Sequence, residues 1–265
     1  MSLYNKITVI GAGNMGSAIA GGLLKYSHSE VCVANRSIGR LKSFKVTFSE
    51  APNLTVTTDI AASVKDSSLV VLAVKPWAIK EVLNQVRPNL RDDSVVVSVA
   101  AGIGPAELQK LIDRDSIGVI YMIPNTALQV GKGMTFAAAA GVDKEKLDEI
   151  HALFAPMTRL KFVDESKMEA GMALCSCGIA YVYRFIAAAA QAGVELGFSY
   201  DEAVEYFTAT VSGATAVIES SDLTLQQLVN AVTTPGGITI RGVNQLERQG
   251  FTAAVIDSIL TPLKK

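Results

Sequence analysis

The chain has 265 residues, 49% of them apolar and 18% charged, with 24 basic against 25 acidic side chains and a net charge of −1. That length and composition fit one large core or two modest ones and exclude a disordered chain. The balanced charge offers no footprint for nucleic acid or an anionic membrane surface, so any anion must be held by a local device.

The N-terminal stretch, Met1 to Lys6, lacks the basic region and apolar core of a signal peptide, and no run of about 20 apolar residues is evident. The sequence reading is therefore a cytoplasmic protein without a membrane partner. Cys32, Cys175 and Cys177 make an odd count without the spacing of a zinc site or a disulfide framework. All three are read as small buried apolar residues, and no metal is expected.

The first element in chain order is Ile7 to Ile10, a β-branched run typical of a buried strand. It leads directly into Gly11-Ala12-Gly13-Asn14-Met15-Gly16, and then into Ser17 to Lys25, where Ala18, Ile19, Gly22 and Leu23 recur at helical spacing. Val31 to Ala34 closes the unit as a second strand. A G-x-G-x-x-G turn flanked this way is a dinucleotide cradle: Gly11 makes the bend, Gly13 admits the pyrophosphate and Gly16 lets helix and strand pack closely. At the end of the second strand an NAD site places a carboxylate for the ribose hydroxyls, but this chain has Asn35-Arg36-Ser37. Arg36 and Ser37 can hold a ribose 2′-phosphate, which favours NADP(H) over NAD(H); a solvated arginine in a loop is the plainer alternative.

Strand and helix then alternate, as in a doubly wound α/β domain. Thr55 to Thr57, Leu69 to Val74 and Val95 to Val99 read as strands, with a helix over Trp77 to Val86. Pro105 to Leu111 reads as a helix and Ile117 to Met122 as a strand. Met134 to Ala138 and Leu160 to Val163 look like the last strands, flanking a helix over Lys144 to Leu153, with the Ala137 to Ala140 run a loop or strand end. Exits at Lys75, Ala100 and Pro124 lie at carboxyl ends of strands, where an open sheet keeps its ligands.

Composition shifts near Val163, which sets domain boundaries at 1–163 and 164–265. Helices are expected over Glu165 to Leu196, Asp201 to Glu219, Leu225 to Val232, Gly236 to Leu246 and Thr252 to Ile259. The first is too apolar between Gly171 and Tyr183 for one face in water, so other helices, those of a second subunit included, should cover it. In Leu228 to Glu247, Pro235 forces an extended turn, Gly236 and Gly237 remove side chains, and Ile238-Thr239 starts a helix. Bare N–H groups there suit a carboxylate, although Thr and Gly also serve as ordinary caps.

The order of Gly11 to Gly16, Ala73-Val74-Lys75-Pro76, Pro124-Asn125-Thr126, Ala180-Tyr181, Pro235-Gly236-Gly237-Ile238-Thr239, and Leu246-Glu247 with Gly250-Phe251 resembles pyrroline-5-carboxylate reductase over nearly the full length. The resemblance implies a Rossmann-type doubly wound domain and an all-α C-terminal domain that pairs in a homodimer and can assemble further. It implies NAD(P)H-dependent reduction of the cyclic imine 1-pyrroline-5-carboxylate to L-proline, with a small imino acid as the partner molecule. By position, Gly11, Gly13, Asn14, Met15 and Gly16 would hold the pyrophosphate, and Asn35, Arg36 and Ser37 the adenosine end. Val74, Lys75, Pro76, Ala100 and Ala101 would line the ribose and nicotinamide. Val232, Gly236, Gly237 and Ile238 would bind substrate, Gly237 and Ile238 through their N–H groups, and Thr239 would be the catalytic hydrogen-bond partner of the ring nitrogen.

The chain departs from the family pattern at Ile60, Tyr121, Ala127, Cys175, Cys177, Ile179 and Asn230. Ile60 stands where an asparagine is usual, Tyr121 where an arginine is, and Cys175-Ser176-Cys177-Gly178-Ile179 replaces Ser-Gly-Ser-Gly-Pro. Two other readings remain at this stage. A related two-domain reductase acting on a hydroxy acid would need a lysine such as Lys167, and a non-catalytic NADP-binding paralogue would need only the cradle.

Overall fold

In the computed structural model, residues 4–264 are described; Met1–Leu3 and Lys265 lie outside them, and with them the first half of the stretch read for a signal peptide. Contacts divide the chain into two units, Met1–Ser176 and Cys177–Lys265.

The first unit begins β1 (Lys6–Ile10), α1 (Asn14–Tyr26), β2 (Glu30–Ala34), α2 (Ile38–Thr47), β3 (Leu54–Thr57), α3 (Ile60–Ser63) and β4 (Leu69–Leu72). It continues α4 (Ile79–Val86), β5 (Val95–Ser98), α5 (Pro105–Ile112), β6 (Gly118–Pro124), β7 (Gly133–Ala140), α6 (Lys144–Phe154) and β8 (Thr158–Phe162). The strands form one sheet in the order β3-β2-β1-β4-β5-β6-β7-β8. All neighbours run parallel except β6 and β7. The central strands are apolar without interruption because helices cover both faces. Val9, Val71 and Val97 point into one core, Ile10, Leu72 and Val96 into the other, as the two-residue period of a strand requires. Chain order reverses between β1 and β4, which opens a crevice at the carboxyl ends of those strands.

Several expected elements differ in detail. The Ala137 to Ala140 run is the far half of β7, paired with β6 from Val119 to Met122, because ladder bonds to a buried neighbour outweigh the poor strand propensity of alanine. The strand read through Val74 ends at Leu72; the Ala73 N–H still reaches the Ile10 carbonyl, and the chain then turns out over the sheet edge. The helix read from Trp77 starts at Ile79, after a 3-10 turn at Pro76–Ala78.

After β8 come a 3-10 turn (Glu165–Lys167), α7 (Met168–Gly171), a π-helical stretch (Met172–Cys177) and α8 (Gly178–Glu195). Met168, Gly171 and Ala173 are buried. A Cβ on Gly171 would meet the Phe136 ring. The contact boundary therefore falls at Ser176, later than the composition shift at Val163. Cys175 and Cys177 are half-buried, and Cys32 alone matches the expectation of a buried thiol. Burial raises the Cys175 thiol pKa.

The second unit is helical: α8, α9 (Tyr200–Ser220), α10 (Leu225–Val232), α11 (Ile238–Arg248) and α12 (Phe251–Leu260). Ser199 and Thr224 close reciprocal capping boxes with Glu202 and Gln227, which fixes the starts of α9 and α10. Phe185 packs edge-on against Phe207 and at a tilt against Phe251. Most of the remaining apolar surface is bare: of the 21 residues of α9, Ala203 is buried. The continuous helical stretch Glu165–Glu195, at 31 residues, is long and apolar enough to cross a membrane. The sequence reading found this helix and its apolar character, but counting unbroken apolar runs did not show that, with its Gly, Ser and Gln included, it reaches membrane-spanning length and hydropathy.

Candidate active site

The crevice between β1 and β4 contains a cavity of about 650 Å³ lined by Gly11, Gly13, Asn14, Met15, Asn35, Arg36, Val74, Lys75, Pro76, Ala100 and Ala101. Eleven of the thirteen residues predicted to bind cofactor are thus brought together. Gly16 lies beneath this surface, and Ser37 lies on the loop beside it.

The glycines of the turn are required by contact. Gly11 has a φ of +109°, and a Cβ there would collide with the Ala73 carbonyl oxygen. A Cβ on Gly16 would overlap the Gly11 carbonyl oxygen. Gly13 is the N-cap of α1, so no side chain caps that helix, and its first turn carries no carboxylate. The first N–H groups of α1 therefore meet the cavity bare, with the positive end of the helix dipole behind them. A pyrophosphate fits this cradle.

The exit of β2 is more tightly organised than its sequence suggests. Asn35 Oδ1 accepts the Ala12 N–H at 3.2 Å, and Asn35 Nδ2 donates to the Ser37 carbonyl at 3.1 Å. Arg36 is exposed and pairs loosely with Glu81 at 3.8 Å. Arg40, in the first turn of α2, also lines the cavity, its Nη1 3.6 Å from where a Cβ on Gly13 would lie. Arg40 and Trp77 line the cavity without having been singled out in the sequence, and Ile60, noted there as replacing an asparagine, lines it too. The spacing Arg36-x-x-x-Arg40 at a helix start was the legible signal for the second arginine.

The far end of the cavity is the turn after β5. The Ala100 N–H donates to Ser98 Oγ at 3.2 Å, and the Gly102 N–H donates to Tyr121 Oη at 3.0 Å. Tyr121 is 5% exposed, and its burial raises the phenol pKa, so the ring stays neutral and the hydroxyl remains available. Beside it, Ser176 Oγ donates to the Pro124 carbonyl at 3.0 Å. Asn125 accepts the Met134 N–H and donates to the Cys175 carbonyl, each at 3.3 Å.

In the second unit, Val232 ends α10 and is 65% exposed. Gly236 has a φ of +72°, which favours glycine there, and Gly237 is the N-cap of α11. The Gly237 N–H donates to the Thr234 carbonyl at 2.9 Å, so it is engaged and not open to a ligand as expected. The bare donors of this turn start at Ile238, since α11 has neither a side-chain cap nor an acidic residue in its first turn. Among the described residues the Thr239 hydroxyl makes no hydrogen bond within the chain. Arg241 donates from Nη2 to the Gly236 carbonyl at 3.3 Å, which adds a cation to the turn.

Among the described residues no three His, Cys, Asp or Glu side chains cluster as metal ligands. Lys167, the residue a hydroxy-acid mechanism would need, is exposed in its 3-10 turn.

Residues 165–265 match the family model for pyrroline-5-carboxylate reductase dimerisation, and residues 6–102 match that for NADP oxidoreductase, coenzyme F420-dependent. Pyrroline-5-carboxylate reductase from Pisum sativum is 32% identical, over 97% of this chain and 93% of that protein. Pyrroline-5-carboxylate reductase 1 from Dictyostelium discoideum is 29% identical over the whole of this chain, which spans half of that protein's length. The crystal structure of pyrroline carboxylate reductase from Plasmodium falciparum with NADP bound superimposes with a TM-score of 0.88 at 24% identity, covering 99% of this chain and 97% of that one.

Proposed function

The chain belongs to the pyrroline-5-carboxylate reductase family and reduces 1-pyrroline-5-carboxylate to proline; from that premise we propose that it uses NADPH in preference to NADH and holds the imine at the turn over 232–239. The observation that carries this reading is the pair of uncapped helix starts at α1 and α11, each opened by glycine and free of carboxylates in its first turn. One suits a pyrophosphate and the other the single carboxylate of an imino acid.

Each residue then has a definite task. The first N–H groups of α1 bind the pyrophosphate, with Gly13 admitting its close approach. Arg36 and Ser37 take the 2′-phosphate, and the lack of a carboxylate at the end of β2 removes the usual acceptor for an NAD ribose. Val74, Lys75, Pro76, Ala100 and Ala101 shape the ribose and nicotinamide end, the turn of the two alanines held by Ser98 and Tyr121. Ile238 and its successors offer N–H groups to the substrate carboxylate, beside Val232 and Gly236. The free Thr239 hydroxyl orients the ring nitrogen and helps deliver its proton.

A protonated C=N is already electrophilic, so placement contributes more than a strong acid would. Reduced nicotinamide, when bound, supplies the hydride. No residue with a strongly basic function is needed, and the exposed Lys167 adds nothing to a hydroxy-acid reading.

The C-terminal region is a dimerisation domain by its family match. We place α8 and α9 in a homodimer interface that can extend to higher assemblies, because their apolar surface is bare in one chain. The same pairing accounts for the apolar Glu165–Glu195 stretch without a membrane. The free thiols of Cys32, Cys175 and Cys177 suit a reducing compartment, consistent with a cytoplasmic enzyme.

Steady-state rates with NADPH and NADH against five- and six-membered cyclic imino acids test the reading. The five-membered acid with NADPH should give the highest kcat/KM. NADPH binding without oxidation by any imine would support a non-catalytic paralogue, and a preference for NADH would remove the assignment of Arg36.

A further inference from the structure

Trp77 is the one tryptophan of the chain, and it is 80% exposed. An indole is among the largest apolar side chains, and leaving it in water forgoes burial that other positions would provide. Its backbone is nevertheless fixed. Pro76 starts the 3-10 turn, the Ala78 N–H donates to the Lys75 carbonyl at 2.9 Å, and Ala78 and Ile79 are buried below. A bare ring is thus presented on a rigid turn at the carboxyl end of β4.

The ring faces a definite place. Trp77 lines the cofactor cavity together with Ile60, Arg36 and Arg40. Glu81, four residues after Trp77, pairs with Arg36 at 3.8 Å, which ties the helix that follows this turn to the loop after β2, at the adenosine end of the cavity. Ile60 is 6% exposed and gives that end an apolar wall in place of an amide.

We propose that Trp77 is the stacking platform for the adenine ring of the dinucleotide, with Ile60 lining the same compartment. The inference rests on the cofactor reading above and adds a residue to it. Stacking on an aromatic face needs no hydrogen-bond pattern, so an apolar compartment can hold adenine where an amide contact is missing. Arg36 then takes the 2′-phosphate, with the Arg40 cation lining the same cavity, and the indole takes the base.

Because Trp77 is the sole tryptophan, the intact protein reports on the contact directly. Titration with 2′,5′-ADP should quench its emission saturably, whereas nicotinamide mononucleotide should leave it unchanged. By calorimetry Trp77→Ala should weaken 2′,5′-ADP by about tenfold, and Trp77→Phe should recover most of that loss, since an aromatic face is what matters. An exposed residue can be replaced without loss of the fold, which the thermal transition of each variant checks. Binding of 2′,5′-ADP with no change in emission, or with equal affinity in Trp77→Ala, would overturn this inference and leave the cofactor reading intact. Failure of 2′,5′-ADP to bind the unaltered protein would overturn both.

Discussion

Asn35 ties the glycine turn to the loop after β2, accepting the Ala12 N–H on Oδ1 at 3.2 Å while donating from Nδ2 to the Ser37 carbonyl at 3.1 Å. Both ends of its amide are engaged within the protein, so its expected effect on the proposed cofactor site is to hold these two segments in register. Asn35→Ala should raise KM for NADPH and NADH together, by roughly fivefold, as expected for the loss of about one net hydrogen bond. Asn35→Asp keeps the acceptor and places a carboxylate where NAD sites carry one, so the ratio of kcat/KM values should move toward NADH. Steady-state kinetics with both cofactors separate the two outcomes.

Arg36 and Glu81 lie 3.8 Å apart with both side chains largely in water, a pair of little intrinsic value. A 2′-phosphate carries more charge than a carboxylate and should displace Glu81. Arg36→Ala should therefore weaken NADPH by roughly tenfold and NADH by less than about twofold, whereas Glu81→Gln should tighten NADPH. Equal effects on the two cofactors would show that Arg36 does not meet the 2′-phosphate.

Tyr121 occupies the position where the resembled family carries arginine, and its hydroxyl receives the Gly102 N–H at 3.0 Å. Tyr121→Phe leaves the buried ring but removes the acceptor. The expected loss is about 1 kcal/mol of stability, or roughly 2–4 °C in Tm for a chain of this size. A rise in KM for the imine should accompany it as the turn bearing Ala100 and Ala101 loosens. Calorimetry and kinetics on one preparation check both.

The bare face of α9 should make the second unit dependent on pairing. Ile218 is 46% exposed, and no neighbour within its own chain completes its burial. Ile218→Glu should shift the protein toward smaller species in sedimentation and lower its thermal transition, because an unpaired charge would be buried at the interface. An unchanged sedimentation coefficient would place the interface on another face.

The cradle was legible because its chemistry is local: a strand, a glycine turn and a helix start announce themselves within ten residues. The start of α11 was legible for the same reason, apart from the engaged Gly237 N–H, which depends on how Thr234 folds back. Directions and registers were less accessible. Apolar runs mark strands but do not say that β7 lies antiparallel to β6. Helix α2 buries Leu41 and Phe44 among polar neighbours, too sparse a stripe for periodicity to find. The π-helical stretch at Met172–Cys177 is accompanied by bonds from Asn125 and Ser176, between residues some fifty positions apart, and no spacing within the stretch encodes them. Trp77 joined the site only when the sheet brought the exits of β2, β3 and β4 to one edge.

In the proposed reaction the turn ending at Thr239 acts on the ring C=N while the α1 cradle holds the cofactor. The most direct measurement is deuterium transfer from NADPH labelled at the nicotinamide hydride carbon to 1-pyrroline-5-carboxylate, run beside Thr239→Ala. The unaltered protein should give proline with one deuterium on the ring carbon next to nitrogen and remote from the carboxylate. Thr239→Ala should form the same product at least about tenfold more slowly with NADPH affinity unchanged. Transfer at the original rate in Thr239→Ala, or loss of NADPH binding in that variant, would contradict the account.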